Sequence, residues 1–370
     1  MSFVGIVMEA AGILTTVAVA SVQGLGGYKG ASTGVKLIIG QGDGSMGGSV
    51  PHIALWDDHG ARIGQYHAKS KDTIDEDGTG ELVINHSQTT PPGHQADPMY
   101  VMLSNLENNA ICISAVYVTN DKISGTFYGD VGYMCGMSWY PSTALVDSNF
   151  YTPRCVWLDA DHTNGINARA LSFHLNDIAA QPDKLAEYND NTDTICKSTP
   201  RFSFWGNLTP DGQIPFFSPP LQYNIDSVNG GQGADKDPKA VIDRDNQYDK
   251  SVYVSQQEHH SKRSSEKTAK QQRRSIKTSN INPEHLIITD SNGHSAKEVC
   301  EHPNSVGWDI VSTKEGLFCD LADRQLYPLC SPTITVNCFD LNALQLKTLV
   351  ERDGNFAVHP RGYNTTAYWK

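Results

Sequence analysis

The sequence predicts a mainly β protein: an antiparallel β-sandwich with an appended α/β segment and a small Cys-rich C-terminal module. Three observations predict this. Short apolar runs recur from Val35 to Trp139, each bounded by Gly, Pro, Asn or Asp, which is the rhythm of antiparallel strands. The 370 residues include 32 glycines and 18 prolines, a composition that favours turns and short strands over long helices. Eight cysteines fall into two groups of four separated by a long gap, as two separately cross-linked halves would have them.

The sandwich is expected over residues 24–150. Val35 to Ile39 is its first strand and ends in glycines. His52 to Trp56 runs into Asp57-Asp58-His59-Gly60, a hairpin turn, and the chain returns through Ala61 to Tyr66. Glu81 to Asn85, Met99 to Leu103 and Ile111 to Thr119 follow. The turn Asn120-Asp121-Lys122 then leads into Gly125 to Tyr128. Residues 151–228 read differently. Cys155 to Asp159 is a strand ending on carboxylates, and Ala170, Leu171, Phe173, Leu175 and Ile178 space an amphipathic helix from about Ala168 to Ile178. Arg201 to Tyr223, rich in aromatic residues and proline, reads as a loop packed by its own rings.

Residues 229–280 lose the pattern and read as a disordered basic linker. Between Lys262 and Lys277 seven basic side chains face one acid, Glu266. The rest of the chain keeps 22 of the 29 basic and 40 of the 41 acidic side chains, a net charge of −18. Such a surface argues against nucleic-acid binding, because phosphate contacts need surplus Lys and Arg. Dibasic pairs ending at Arg263 and Arg274 would be open to a processing protease. His285 to Thr289 begins the module at 281–370.

An extracellular address is expected from three features. Met1 to Ala20 is a mostly apolar run closing on Ala18-Val19-Ala20, the small-x-small pattern of a signal peptide, although no Lys or Arg precedes Lys29. No later stretch is long and apolar enough to span a bilayer, so the mature chain is expected without a membrane span. Cys112, Cys135, Cys155 and Cys196 could close two disulfides, as could Cys300, Cys319, Cys330 and Cys338, with the pairing open in each half. Absence of any Cys-x-x-Cys pair argues against zinc ribbons and thioredoxin-like chemistry. Asn85, Asn207 and Asn364 each begin an N-x-S/T glycosylation motif.

The segment Asp159 to Gly165 is the first candidate site. Asp159, Asp161 and Thr163 take the first, third and fifth positions of a calcium loop, beside His162. Asn164 stands where that loop requires Gly and Ala170 where it requires a bidentate Glu, so a complete EF-hand is excluded. What stays open is a looser calcium site, a carboxylate-lined cleft, or a simple helix cap. A second oxygen-rich loop, with Asp75, Asp77 and Glu81 around Gly78 and Gly80, could also take calcium; otherwise it is a solvated hairpin. No other cofactor is indicated. Gly42 to Gly47 fits G-x-G-x-x-G, but Gly48 and Pro51 follow where a phosphate-binding helix would have to start. Gly293-His294-Ser295-Ala296-Lys297 lacks the last glycine of a nucleophile elbow, so a triad of Ser295 with Asp320 and His359 is not expected.

Cys155 to Asp177, CVWLDADHTNGINARALSFHLND, resembles the signature stretch of an uncharacterised family of fungal secreted proteins. His294 through Leu341 is similar to their C-terminal part in its HSA, CEHP, GLFCD, PLC and CFDL pieces. The resemblance implies fungal origin and an extracellular address, and no reaction. Together these features point to a secreted, disulfide-stabilised protein that binds an extracellular glycan or another protein. The alternatives are an extracellular glycoside-type hydrolase using Asp159 and Asp161, with or without calcium, and an accessory protein of a fungal biosynthetic pathway.

Overall fold

A computed structural model describes residues 31–42, 46–76, 78–146, 151–178, 182–225, 232–236, 281–352 and 355–370. The leader expected over Met1 to Ala20, Asp77, and the dibasic pairs at Arg263 and Arg274 lie outside these residues.

The chain enters through β1 (Ser32–Ile39), β2 (Gly48–Ser49), β3 (His52–Trp56), β4 (Arg62–Tyr66), β5 (Thr73–Ile74) and β6 (Thr79–Asn85). It continues through β7 (Tyr100–Ser104), β8 (Ile111–Thr119), β9 (Ser124–Tyr128), β10 (Trp139–Tyr140), β11 (Cys155–Leu158), β12 (Ala170–His174) and β13 (Phe202–Trp205). One sheet has the order β10-β11-β8-β1-β6, with β9 also on β8; the other runs β13-β12-β7-β3-β4, and every pairing is antiparallel. Val35, Leu37 and Ile39 alternate inward along β1 and share one core with Ile53, Leu55, Val101, Leu103, Leu171 and Phe173 of the opposite sheet. Phe127 of the first sheet stacks on Phe173 and Phe202 of the second, at 5.3 and 5.6 Å between centroids. Truncating such a buried ring to Ala costs about 3–5 kcal/mol.

The second sheet is apolar on its outer face as well. There Ala54, Trp56, Tyr100, Met102, Ala170 and Trp205 pack under Ile214 and Phe217 of the following loop. This corrects the helix expected from Ala168 to Ile178, which is β12 followed by one short helical turn, Leu175–Ile178. A strand buried on both faces shows a continuous apolar run rather than alternation, and such a run does not distinguish strand from helix. The residues read as an appended unit therefore supply strands to both sheets, and the loop expected from Arg201 opens with β13. Within the expected linker, Gln232–Asp235 is β15, paired with β14 (Tyr223–Ile225).

The C-terminal part holds β16 (His285–Thr289), β17 (Asp309–Ser312), β18 (Leu317–Asp320), β19 (Gln325–Pro328), β20 (Cys338–Asp340), β21 (Gln345–Arg352), β22 (Asn355–Gly362) and β23 (Thr365–Trp369). One sheet has the order β19-β18-β17-β16-β23, with β16 parallel to both β17 and β23. The helix Ala296–Glu301 makes the crossover between β16 and β17. Strands β20-β21-β22 form a separate antiparallel sheet. This part shares the sandwich core through Ile287, Val299, Trp308 and Ile310. Trp157 Nε1 donates to the Val306 carbonyl and Tyr140 OH to the Trp308 carbonyl, each at 2.8 Å. Arg154 joins Asp130 of the sandwich to Glu298 of the crossover helix, at 2.9 and 2.7 Å. The disulfides are Cys112–Cys155, Cys135–Cys196, Cys300–Cys319 and Cys330–Cys338, two in each half.

Candidate functional site

The loop after β11 does bring Asp159, Asp161 and Thr163 together, but around a hydrogen-bonded turn. Asp159 Oδ2 accepts from the Thr163 N–H and hydroxyl, both at 2.8 Å, and Asp161 Oδ1 accepts from the same N–H at 3.2 Å. His162 and Asn164 take left-handed backbone angles, φ 58° and 57°, and His162 Nδ1 lies 2.8 Å from the Ile166 carbonyl. Asp159 is fully buried. Burial pushes its carboxyl up to about 6; the Thr163 hydrogen bonds pull it down and the Asp161 carboxyl pushes it further up. A raised carboxyl is one half of what a hydrolytic acid needs. The cavity beside this turn, bordered by Thr163 and Asn164, measures about 10 Å³, the space of one water.

The second acidic loop borders a groove of about 310 Å³ through Thr73, Asp75 and Glu76. Glu81 points elsewhere, to Lys36 at 3.4 Å. Among the described residues, no three His, Cys, Asp or Glu side chains gather as a metal-binding group. Ser295 caps the crossover helix, accepting from the Glu298 N–H at 3.0 Å and donating to Glu315 at 2.5 Å, while Asp320 pairs with Arg361 at 2.9 Å. These roles leave no nucleophile elbow. Asn85, Asn207 and Asn364 are all exposed, and the Asn364 amide donates to Glu284.

A site that sequence reasoning missed lies where the β3–β4 turn meets the 213–220 loop. The turn is folded by Asp57, whose Oδ1 accepts from the N–H groups of His59 and Ala61 at 2.9 and 2.8 Å. Gly60 closes it with φ 80°, and a Cβ there would stand 2.8 Å from the Phe216 ring, so only glycine lets the turn approach that ring. Between turn and loop runs an open groove of about 450 Å³. Its polar rim is His59, Gln213 and Ser218, and its apolar wall includes Pro215, Phe216 and Pro220. Phe216 is held edge-on against Tyr100 at 5.0 Å and tilted against Trp56 at 5.9 Å.

Behind the groove is a buried charged cluster. His174, at the end of β12, places Nδ1 2.8 Å from Asp177 Oδ2 and Nε2 3.4 Å from Asp58 Oδ1. Arg201, fully buried, donates to Asp177 Oδ1 at 2.6 Å, and Tyr223 OH donates to the same oxygen at 2.7 Å. Burial pulls the His174 imidazole down, but Asp177 and then Asp58 outweigh it and hold the group above its ordinary value. Burial, with Asp177 beside them, pushes the Tyr188 and Tyr223 phenols well up. The sequence held a signal for this cluster in the i,i+3 pair His174 and Asp177, two residues that a helical reading also places side by side.

No family model, no curated protein and no solved structure matches the chain. The fold and the disulfides define it as a disulfide-stabilised, mainly β protein.

Proposed function

We propose that this is a secreted fungal protein that binds an extracellular glycan in the groove between the β3–β4 turn and the 213–220 loop. The observation that carries the reading is the chemistry of that groove. An imidazole, an amide and a hydroxyl line its rim, with ring and proline surface beneath, and among the described residues His59 is its one titratable lining group. A sugar offers hydroxyls to such a rim and C–H faces to such a wall. A hydrolase would need a second acid or base within reach of the bound ligand. Extracellular residence is supported by four disulfides, the apolar run Met1 to Ala20 and the three N-x-S/T motifs with exposed Asn.

The test is an array of neutral and N-acetylated oligosaccharides, followed by calorimetric titration of the hits. The double variant His59→Ala, Gln213→Ala should bind about 10-fold more weakly, the loss of one or two hydrogen bonds, with an unchanged melting temperature. An array without hits, or a variant that binds like the native chain, removes the glycan reading.

A further inference from the structure

Both walls of the groove are tied to one buried imidazole. The turn wall carries Asp58 next to the rim residue His59, and the Asp58 carboxylate reaches His174 Nε2 at 3.4 Å. The loop wall is tied at two points. Phe217 N–H donates to Tyr100 OH at 3.1 Å, and the Tyr100 ring lies 4.5 Å from that of His174. Six residues further on, Tyr223 OH lies 3.2 Å from His174 Nδ1 and donates to Asp177 Oδ1. His174 is 1% exposed, so water does not substitute for these partners.

We propose that His174 is a charge-dependent clamp that regulates the groove, an inference that rests on the groove being the binding site. As imidazolium it donates from Nδ1 to Asp177 and attracts the Asp58 carboxylate across 3.4 Å from Nε2, an ion pair without a hydrogen bond, holding turn and loop together. A neutral imidazole that keeps its Nδ1–H on Asp177 turns a lone pair toward Asp58 and no longer attracts it. Arg201 and Tyr223 keep Asp177 in place, so the contact given up is the one to Asp58, and the turn wall is released.

The charges facing the clamp from each packed element set the direction. The turn brings Asp58, the helical turn after β12 brings Asp177, and Arg201 precedes β13. The helix Pro182–Asp190 brings Tyr188, whose OH donates to the Asp177 carbonyl at 2.7 Å, with Glu187 beside it. β14 brings Tyr223, and β7 brings Tyr100. Among the described residues, Asp58 and Asp177 both lie against the imidazole, which favours its charged form. This agrees with an imidazole that the two carboxylates hold above its ordinary value. The clamp is therefore closed in acid and opens as pH rises through the raised pKa of His174.

Hydrogen exchange tests this without any ligand, so its outcome is separate from that of the glycan array. Protection factors, corrected for intrinsic rates, are measured for peptides covering 57–61 and 213–220 from pH 5 to 9. The His174 titration is followed in parallel by nitrogen-15 NMR. In the native chain protection of 57–61 should fall about fivefold with the midpoint of the His174 titration, the scale of a partly exposed ion pair. In Asp58→Asn it should be low and flat across that range. A His174 titration that leaves protection of 57–61 unchanged overturns the clamp, and so does a pH-dependent loss that persists in Asp58→Asn.

Discussion

Replacing Asp159 by Asn should stabilise the protein at pH 7.5 and leave it unchanged at pH 4. The carboxyl is fully buried, and its two donors, the Thr163 N–H and hydroxyl, both reach Oδ2, while Oδ1 finds no hydrogen-bond partner among the described residues. An Asn keeps the acceptor for Thr163 and replaces the orphaned oxygen by an NH2, removing the charge that the neighbouring Asp161 carboxyl opposes. The native carboxyl titrates at about 6 when folded, against roughly 3.9 in an unfolded chain. Raised in the fold, it contributes stability that is complete below about pH 4 and is lost as pH rises through about 6. Two pKa units correspond to about 3 kcal/mol. The solvent side of the loop, where Asp161 is exposed, screens part of this and leaves about 1–2 kcal/mol. Urea unfolding of both chains at pH 4, 5, 6 and 7.5 measures it. A variant less stable at pH 7.5, or a difference that is flat across the series, would refute the reasoning.

Two further variants bear on the groove and the framework. Arg201→Met leaves the Asp177 carboxylate buried beside His174 with one cation fewer, and should cost about 3–5 kcal/mol in urea unfolding; a loss below about 1 kcal/mol would show that Arg201 is not its main counter-charge. Cys135→Ala with Cys196→Ala opens a loop of sequence separation 61, worth about 4 kcal/mol by chain entropy, and an unchanged urea midpoint would show that this bridge does not constrain the unfolded chain.

The sandwich was legible where one strand face is wet. Along β1, Val35, Leu37 and Ile39 alternate with half-buried Lys36 and Ile38, and the turn at Asp57 to Gly60 carries its own side-chain and glycine chemistry. Legibility failed at β12, where Ala170 and Ser172 are buried outward under the 206–221 loop while Leu171 and Phe173 are buried inward. That cover comes from residues some 40 positions downstream, and no local pattern reports it. The acidic loops were legible as composition, and their side chains do meet at Asp159 to Thr163. That these carboxylates gather around a turn is set by the Thr163 N–H and hydroxyl, which donate to Asp159 and Asp161.

The same long-range cover explains why the groove lies where it does. A sandwich sheet normally leaves one face to water, and its loops then carry function at the ends of the strands. Here Trp56, Tyr100 and Trp205 face outward from the second sheet, and such a surface has to be covered. The aromatic, Pro-rich loop covers it with Ile214 and Phe217, and having crossed the sheet it meets the β3–β4 turn at Phe216. The rim groups His59, Gln213 and Ser218 are thus carried by short segments whose floor is the antiparallel β3–β7 pairing and whose far side is pinned by Asp177, Arg201 and Tyr223. Rigid support of that kind holds polar groups in place before a ligand arrives, so less ordering entropy opposes binding. The buried ion cluster costs desolvation that an apolar core would avoid; what it provides instead is a defined position for the two walls, and that position responds to a proton.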